Sequence, residues 1–450
     1  AFHGRAPAGA GGCGCNAGGR SGGGLGFGWL LGLAVLGFVV VQRRRLGGVK
    51  RVAMLAGLLV ALSALGLGAA GCGGSGSGNG GDDDTTEQVL RGSTGRFSDL
   101  AVSGTRVVAS AYESSFGDLV IVERASDGTL KYTPIDGVPA EMPTLRASGY
   151  RGGIQGVGDD VGYYTSLVLD SSKKVRVAYQ DVSNKSLKYA AEPASGTKYA
   201  SHTVEMGGGA KGELGRYAGM TLDGMGNPVI AYMATGVPDG MNGFKNQLRV
   251  AHAKVAKPAA ATDWTITLVE EAKIPCQNLC ATGMACVEMT DQCAPEVTTC
   301  TASCGSGTAC VGGACVTVRK ASAIFDIAEG PGLWPQPVLS GGKIAVGYYH
   351  RFADHGELKL AVENGAMWTV SKIDGDVMRD RGMWPSVAVA TDGTLHVAYQ
   401  DALKDDLYYV TVKPGSAAGT PELVDDGERM GDRPHAVGAS AAIFLDGAQP

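Results

Sequence analysis

The sequence predicts an all-β protein, a β-propeller of about six four-stranded blades with a small disulfide-rich insertion and an N-terminal signal or transmembrane region. Three observations predict this fold. Short strands recur about every 50 residues, apolar and polar residues alternate within them, and 71 of the 450 residues are glycine. Alternation at period two indicates strands with one face in a core. Four short antiparallel strands in a unit of this length are typical of a propeller blade.

Each repeat begins with the pattern Gly-x-aromatic-x-x-apolar-x-apolar. Five clear copies and a worn sixth start at Gly95, Gly162, Gly215, Gly332, Gly382 and Gly431. A second apolar strand with a tyrosine near its end follows each clear copy, as in VAYQD at residues 177–181 and 397–401. The repeats therefore occupy residues 93–450. A β-sandwich, the main alternative, would not repeat at this period.

The sixth copy reaches residue 450 where its second strand should begin. We expect that the natural chain continues beyond this point. The alternative is that residues near 86–92 close the ring.

The N-terminal region contains two uncharged apolar spans, residues 25–41 and 52–70, on either side of the basic loop RRRLGGVKR. A span of about 17 residues can cross a bilayer, and the positive charge places the loop in the cytoplasm. The second span ends in Ala69-Ala70-Gly71-Cys72, so residues 49–72 resemble a lipoprotein signal peptide. The resemblance implies cleavage before Cys72 and anchoring to membrane lipid through diacylglycerol on its sulfur. A plain signal peptide or a transmembrane helix is the alternative.

Residues 1–48 resemble a different signal. Cys13-Gly14-Cys15, a glycine-rich stretch, the first apolar span and Arg43-Arg44-Arg45 are similar to a myxobacterial C-terminal sorting tail, MYXO-CTERM. Such a tail belongs at the end of a protein, so we interpret residues 1–48 as the tail of an upstream reading frame. A genuine two-span N-terminus is the alternative, and the intact mass of the native protein distinguishes the two.

The segment after Cys72 and the charge of the chain bear on where the protein acts. Residues 73–92 are rich in Gly, Ser and Asp and predict a flexible linker. Gly73 lacks the inner-membrane retention signal of the aspartate type, so we expect an outer-membrane lipid anchor in the cell envelope, facing the periplasm or the cell surface. The net charge of −5 gives no basic face for nucleic acid.

A cysteine-rich insertion at residues 276–315 interrupts the repeats after the third unit. Its two four-cysteine modules contain Cys276, Cys280, Cys286 and Cys293, then Cys300, Cys304, Cys310 and Cys315. Modules this short and polar cannot build a core, so disulfides must order them. Each module allows three pairings. A zinc site would need paired C-x2-C knuckles, and the sequence has none there.

The repeat resembles sialidase-like, BNR-type propeller repeats in the form G-x-W-P-S-x-A-x-x-x-D-G-x-x-H-V-A-Y-x-D, which stands at residues 382–401. The resemblance covers residues 93–450 outside the insertion and implies a bacterial, myxobacterial-type lipoprotein with a propeller. An intact Asp-box, an arginine triad and a Tyr/Glu nucleophile pair are missing from the sequence. The resemblance therefore transfers no catalytic residue.

The candidate ligand-binding residues are Tyr164, Tyr217, Trp334, Trp384, Asp181 and Asp401. The aromatics precede an inner strand and either form a sugar-stacking ring at one mouth of the propeller or pack between blades. The two aspartates recur at one repeat position, which argues against a unique catalytic pair and favours capping of a loop. His350 and His355 are weak evidence for a metal site.

These observations predict a non-catalytic protein that binds or scaffolds a glycan or protein ligand, with no cofactor, no metal and no nucleic acid. The alternative is a carbohydrate-active enzyme, a glycoside hydrolase or lyase, with its site at the propeller mouth.

Overall fold

A computed structural model of the chain describes residues 94–140, 151, 154, 156–319, 327–429, 435–446 and 450. The predicted tail, signal peptide and linker, residues 1–92, lie outside these residues. Within the part of the chain that is described, no helix has the length and apolar character needed to cross a bilayer. The helices described are single 3-10 turns at Gly209–Lys211, Ala261–Asp263 and Gln277–Leu279.

Five four-stranded sheets confirm the all-β propeller architecture, and each sheet is an antiparallel meander in chain order. Blades 1 and 2 consist of β1 (Thr94–Ser103), β2 (Arg106–Glu113), β3 (Asp118–Arg124), β4 (Leu130–Asp136), β5 (Val161–Leu169), β6 (Val175–Asp181), β7 (Ser186–Ala191) and β8 (Ala200–Glu205). Blade 3 consists of β9 (Glu213–Leu222), β10 (Pro228–Pro238), β11 (Phe244–Ala253) and β12 (Trp264–Ile274). Blades 4 and 5 consist of β17 (Gly330–Ser340), β18 (Lys343–Arg351), β19 (Gly356–Asn364), β20 (Met367–Asp374), β21 (Arg381–Val389), β22 (Leu395–Asp401), β23 (Asp406–Val412) and β24 (Glu422–Asp425).

The first strand of each blade contacts the first strand of the next, so these five strands face the centre of the propeller. The predicted repeat glycines lie in these inner strands. The aromatic two residues after each glycine also lies within the strand, not before it as the sequence suggested. Each inner strand shifts its pairing register around this aromatic, as between Tyr163 and Ser166 in β5. A β-bulge of this kind bends the strand and redirects a side chain.

The blades are joined by a repeated clasp between neighbours. A tyrosine on the second strand of one blade donates its hydroxyl to a carboxylate on the fourth strand of the preceding blade. Tyr348 and Tyr399 do so to Glu270 and Asp374 at 2.6 and 2.7 Å, and the other two clasps are Tyr179–Asp136 and Tyr232–Glu205. These tyrosines are fully buried, so they serve blade packing.

Glu270 shows how strongly such a clasp binds its carboxylate. The side chain accepts hydrogen bonds from Tyr348 and from Lys359, whose Nζ lies 2.7 Å away. Burial alone would raise the pKa of Glu270, but hydrogen bonds from His350, Lys359 and Tyr348 lower it to about 2. The carboxylate therefore stays charged and paired at physiological pH.

Tyr112 of blade 1 departs from the repeat as read from the sequence. It pairs across the sheet with Arg96, as Gln180 pairs with Tyr163 in blade 2. Ala111 therefore occupies the position of the clasp tyrosines. Tyr112 instead lies 4.5 Å from the Tyr163 ring, next to the inner strands.

Residues 435–446 follow blade 5, form no regular strand, and share three local features with the inner strands. The predicted sixth copy at Gly431 lies outside the described residues, and the equivalent glycine is Gly438. Two residues later Ser440 has a φ of 52°, close to the 48° of Trp384. The Ile443 N–H donates to Ser386 Oγ at 3.1 Å, as the Met220 N–H does to Ser166 Oγ at the same distance in blade 3.

The cysteine-rich insertion between blades 3 and 4 forms two disulfide-bonded hairpins, which confirms the predicted disulfides. Its strands are β13 (Met284–Val287), β14 (Gln292–Pro295), β15 (Thr308–Val311) and β16 (Ala314–Thr317). The first and third cysteines and the second and fourth cysteines pair in both modules, as Cys276–Cys286, Cys280–Cys293, Cys300–Cys310 and Cys304–Cys315. The Cys293 N–H donates to the Asn242 carbonyl at 2.8 Å, which fixes the first hairpin to the β10–β11 turn.

Candidate active site at the centre of the propeller

Five aromatic side chains form a continuous arc at the centre of the propeller. Ring centroids of successive members are separated by 4.7, 4.6, 5.3 and 5.3 Å in the order Phe97, Tyr164, Tyr217, Trp334, Trp384. All five are half-buried. The structure thus brings together the four aromatics singled out in the sequence and adds Phe97 from blade 1. These rings pack against one another between blades at tilted angles while part of each surface stays exposed, so blade packing and sugar binding are compatible.

Every member of the arc holds a strained backbone conformation. Their φ angles lie between 47° and 54°, in the left-handed region that L-residues rarely occupy and that costs roughly 1–2 kcal/mol per residue. Aromatic residues gain no local hydrogen bond there, unlike Asn or Asp. Strain of this kind clusters at ligand-binding and active sites. The bulge that causes it turns each ring toward the centre.

Three carboxylates occupy one repeat position beside the arc. Asp160, Glu213 and Asp380 each lie two residues before the repeat glycine, where inner strands β5, β9 and β21 begin. We did not identify them from the sequence. The signal that could have revealed them in the sequence is their common position, two residues before Gly162, Gly215 and Gly382.

Asp160 is held in place by its backbone and has an unusual side-chain environment. Its N–H donates to Ser183 Oγ at 2.8 Å, and its carbonyl accepts the Val182 N–H at 2.9 Å. The Tyr112 hydroxyl hydrogen-bonds the carboxyl, yet Oδ1 is buried without a hydrogen-bond partner among the described residues. Burial, and secondarily the charge of Asp181, raise the pKa of Asp160. A carboxyl group in this environment favours its protonated form.

Asp380 has the corresponding position in blade 5 but a different environment. It accepts a hydrogen bond from the Tyr349 hydroxyl, and Tyr349 lies 6.0 Å from the Trp334 ring of the arc. The Asp380 carbonyl accepts the Ala402 N–H at 2.7 Å, which fixes the start of β21.

Asp181 and Asp401 are almost fully buried, at 2% and 1% exposure. Asp181 Oδ1 accepts the Asn184 N–H at 2.8 Å. Asp401 accepts the Leu403 N–H at 3.1 Å and the Arg381 Nε at 2.9 Å. These contacts order the loops that follow β6 and β22 and leave the carboxylates little access to a ligand.

The histidines considered for a metal have other contacts. His350 and His355 both stack on Phe352, with ring centroids 4.2 and 4.6 Å away. Their Nδ1 atoms face different carboxylates, those of Glu270 and Asp354. Among the described residues, two groups of three potential metal ligands lie close together. Both groups consist of cysteines of the insertion, whose sulfurs form the disulfides.

Comparisons with known proteins identify solved structures of similar fold. A family-43 glycoside hydrolase described as thermostable is 13% identical, with 77% of this chain and 99% of that chain covered and a TM-score of 0.38. A Hadza microbial sialidase is 10% identical, with 74% and 59% covered and a TM-score of 0.40. The α-L-arabinofuranosidase Arb93A from Fusarium graminearum is 11% identical, with 58% and 65% covered and a TM-score of 0.34. This chain thus spans less than two thirds of the arabinofuranosidase. No family model and no curated protein matches the sequence.

These findings correct the functional prediction. The sequence favoured a non-catalytic binding or scaffolding protein, partly because it offered no catalytic set. That prediction is wrong: the similar solved structures include glycoside hydrolases, the class that the alternative names. Similarity at this level carries no information on substrate, so any activity must be argued from the residues of this chain.

Proposed function

We propose that this protein is a glycoside hydrolase whose active site lies at the centre of the propeller. The observation that carries the proposal is the set of carboxylates at one repeat position, Asp160, Glu213 and Asp380, beside an arc of strained aromatics. Glycoside hydrolysis uses two carboxyl groups in different protonation states on either side of the scissile bond. Aromatic faces supply the stacking surface for the apolar face of a sugar ring.

We assign the roles of two carboxyl groups from their surroundings. Burial raises the pKa of Asp160, so we assign Asp160 as the acid that protonates the leaving-group oxygen. The Tyr349 hydroxyl orients Asp380, which we assign as the carboxylate that attacks the sugar directly or activates water. One acid and one carboxylate in different environments are the general pattern in such enzymes.

The proposal is tested by the release of reducing ends from a panel of polysaccharides by the full chain. The Asp380→Asn variant is expected to lose at least about 100-fold of the rate, because the amide can neither attack nor accept a proton. Asp392→Asn is the matched control, since this aspartate lies in the exposed β21–β22 turn. No release by the wild-type chain from any polysaccharide, or an unaffected Asp380→Asn variant, would contradict the proposal.

We further propose that the enzyme is an outer-membrane lipoprotein anchored through Cys72, as the AAGC motif at residues 69–72 supports. The Cys72→Ser variant is expected to incorporate no labelled fatty acid and to leave the membrane fraction, because it lacks the sulfur that carries the lipid. Labelling that persists in this variant would rule out lipidation at Cys72.

We also propose a propeller of six blades. The support is the geometry of residues 435–446, which repeats the glycine, the positive φ and the Ser386 hydrogen bond of the preceding inner strands. An experimental structure of the native protein with five blades in a closed ring would contradict this count.

A further inference from the structure

Arg216 is a charged side chain at the centre of the propeller. It forms no salt bridge with any residue that the structure describes, although the charge of Glu213 acts on it from a greater distance. It directly precedes Tyr217 of the aromatic arc and is half-buried. Its guanidinium lies within hydrogen-bonding reach of the Tyr164 hydroxyl and 5.5 Å from the Tyr217 ring centroid. Among the described residues, no carboxylate oxygen lies within 4.0 Å of it.

Several other buried or half-buried arginines among the described residues have carboxylate partners, whereas the half-buried Arg351 donates to the Ile327 carbonyl. Arg151, Arg249 and Arg381 have carboxylate partners at 2.7, 2.8 and 2.9 Å.

The tyrosines around Arg216 do not replace such a partner, because burial raises the pKa of Tyr217 to about 12 and keeps this hydroxyl neutral. Burial alone would lower the pKa of Arg216, but Tyr217, Tyr164 and Glu213 raise it overall, so the guanidinium stays charged and can contact an anionic ligand.

The residue directly before each aromatic divides the centre of the propeller into two sides. Blades 1, 2 and 3 place Arg96, Tyr163 and Arg216 at this position, whereas blades 4 and 5 place Leu333 and Met383 there. Leu333 and Met383 are buried, at 0% and 8% exposure. The polar side chains at this position that a ligand can reach therefore lie on blades 1, 2 and 3.

We propose that Arg216 forms an anion subsite, and that the glycan bound at this site carries an acidic group on the sugar that faces blade 3. The inference rests on the proposed function in taking the ligand to be a glycan. The planar guanidinium suits a bidentate contact with a sugar carboxylate. A sulfate ester also presents anionic oxygens, so the test compares carboxylated glycans with sulfated glycans.

The test measures binding to the Asp380→Asn chain, in which turnover does not consume the ligand. Probes are oligogalacturonate, oligoguluronate and glucuronate-containing oligosaccharides, each with its carboxyl-reduced counterpart, and sulfated galactan oligosaccharides. At least one acidic probe is expected to bind about 10- to 100-fold more tightly than its neutral counterpart. Arg216→Gln should abolish this preference while leaving neutral binding unchanged, and Arg216→Lys should restore part of it. Arg379→Gln, which alters an exposed arginine paired with Asp376, is the matched control.

The possible results separate the inference from the proposed function. A preference for the sulfated probe that depends on Arg216 supports the subsite and assigns it to sulfate. Preference for an acidic probe without turnover by the wild-type chain supports the subsite and contradicts the hydrolase. Equal binding of every acidic, sulfated and neutral probe, or a preference that survives Arg216→Gln, overturns the subsite.

Discussion

The Asp160→Asn variant is expected to lose about 10²- to 10⁴-fold in kcat/KM, the usual contribution of a general acid. The amide has the shape of the carboxyl group but no proton to give to the leaving oxygen. Substrates with a good leaving group need little protonation, so aryl glycosides of acidic phenols should lose far less. Asp159→Asn is the matched control, because this neighbouring aspartate is exposed and contacts Asn184 at 3.1 Å. Equal losses on good and poor leaving groups would contradict the role of acid.

The same variant should separate activity from stability. The folded protein raises the pKa of Asp160 above its value in the unfolded chain. Its contribution to stability is therefore fully present at low pH and is lost as pH rises through the folded pKa. The amide of Asp160→Asn does not ionise, so this variant does not lose stability as the pH rises. Its urea midpoint at pH 7 should therefore equal or exceed that of the wild type. Wild-type activity should also fall as pH rises through the same pKa. A variant that is both inactive and less stable would point to a structural role.

The Arg381→Met variant is expected to show the largest loss of stability, about 3–5 kcal/mol, the usual cost of breaking a buried ion pair. Arg381 is 9% exposed, and it donates to Asp401 at 2.9 Å and to Asp374 at 3.3 Å. It also donates to the Tyr408 hydroxyl at 2.6 Å. Without Arg381, two buried carboxylates lose their common cation.

Urea unfolding at pH 7 measures this effect, and Arg379→Met serves as the control because Arg379 is half exposed. The control should shift the midpoint little, since exposed ion pairs contribute little to stability. The deficit of Arg381→Met should shrink at low pH as the abandoned carboxylates take up protons. A shift for Arg381→Met no larger than that of the control would contradict the importance of this network.

The repeat made the blades predictable, since one pattern placed the start of each inner strand. The positions of the aromatics within those strands were not predictable, because an ordinary strand does not bear a non-glycine residue at positive φ, as Tyr164 and Trp384 do. The register of blade 1 was also missed. Ala111 replaces the clasp tyrosine there, so matching tyrosines alone aligned Tyr112 one position away.

The catalytic candidates were missed for a related reason. Asp181 and Asp401 stood out because they end two nearly identical strands. They recur because each orders the loop that follows its strand, not because they bind a ligand. Asp160 and Asp380 stand in dissimilar local sequence, and only the ring arrangement of blades places them beside the same arc. The pairing of the insertion cysteines was likewise open until the hairpins were seen, because short loops allow several connections.

A crystal structure of the Asp380→Asn variant bound to an oligosaccharide that the wild-type chain cleaves tests the central claim most directly. We predict that a sugar ring stacks on the aromatic arc at Trp334 or Trp384, with its glycosidic oxygen within hydrogen-bonding distance of the Asp160 carboxyl. An oligosaccharide bound instead at the cysteine-rich insertion, or in a groove between the outer strands of two blades, would contradict the account.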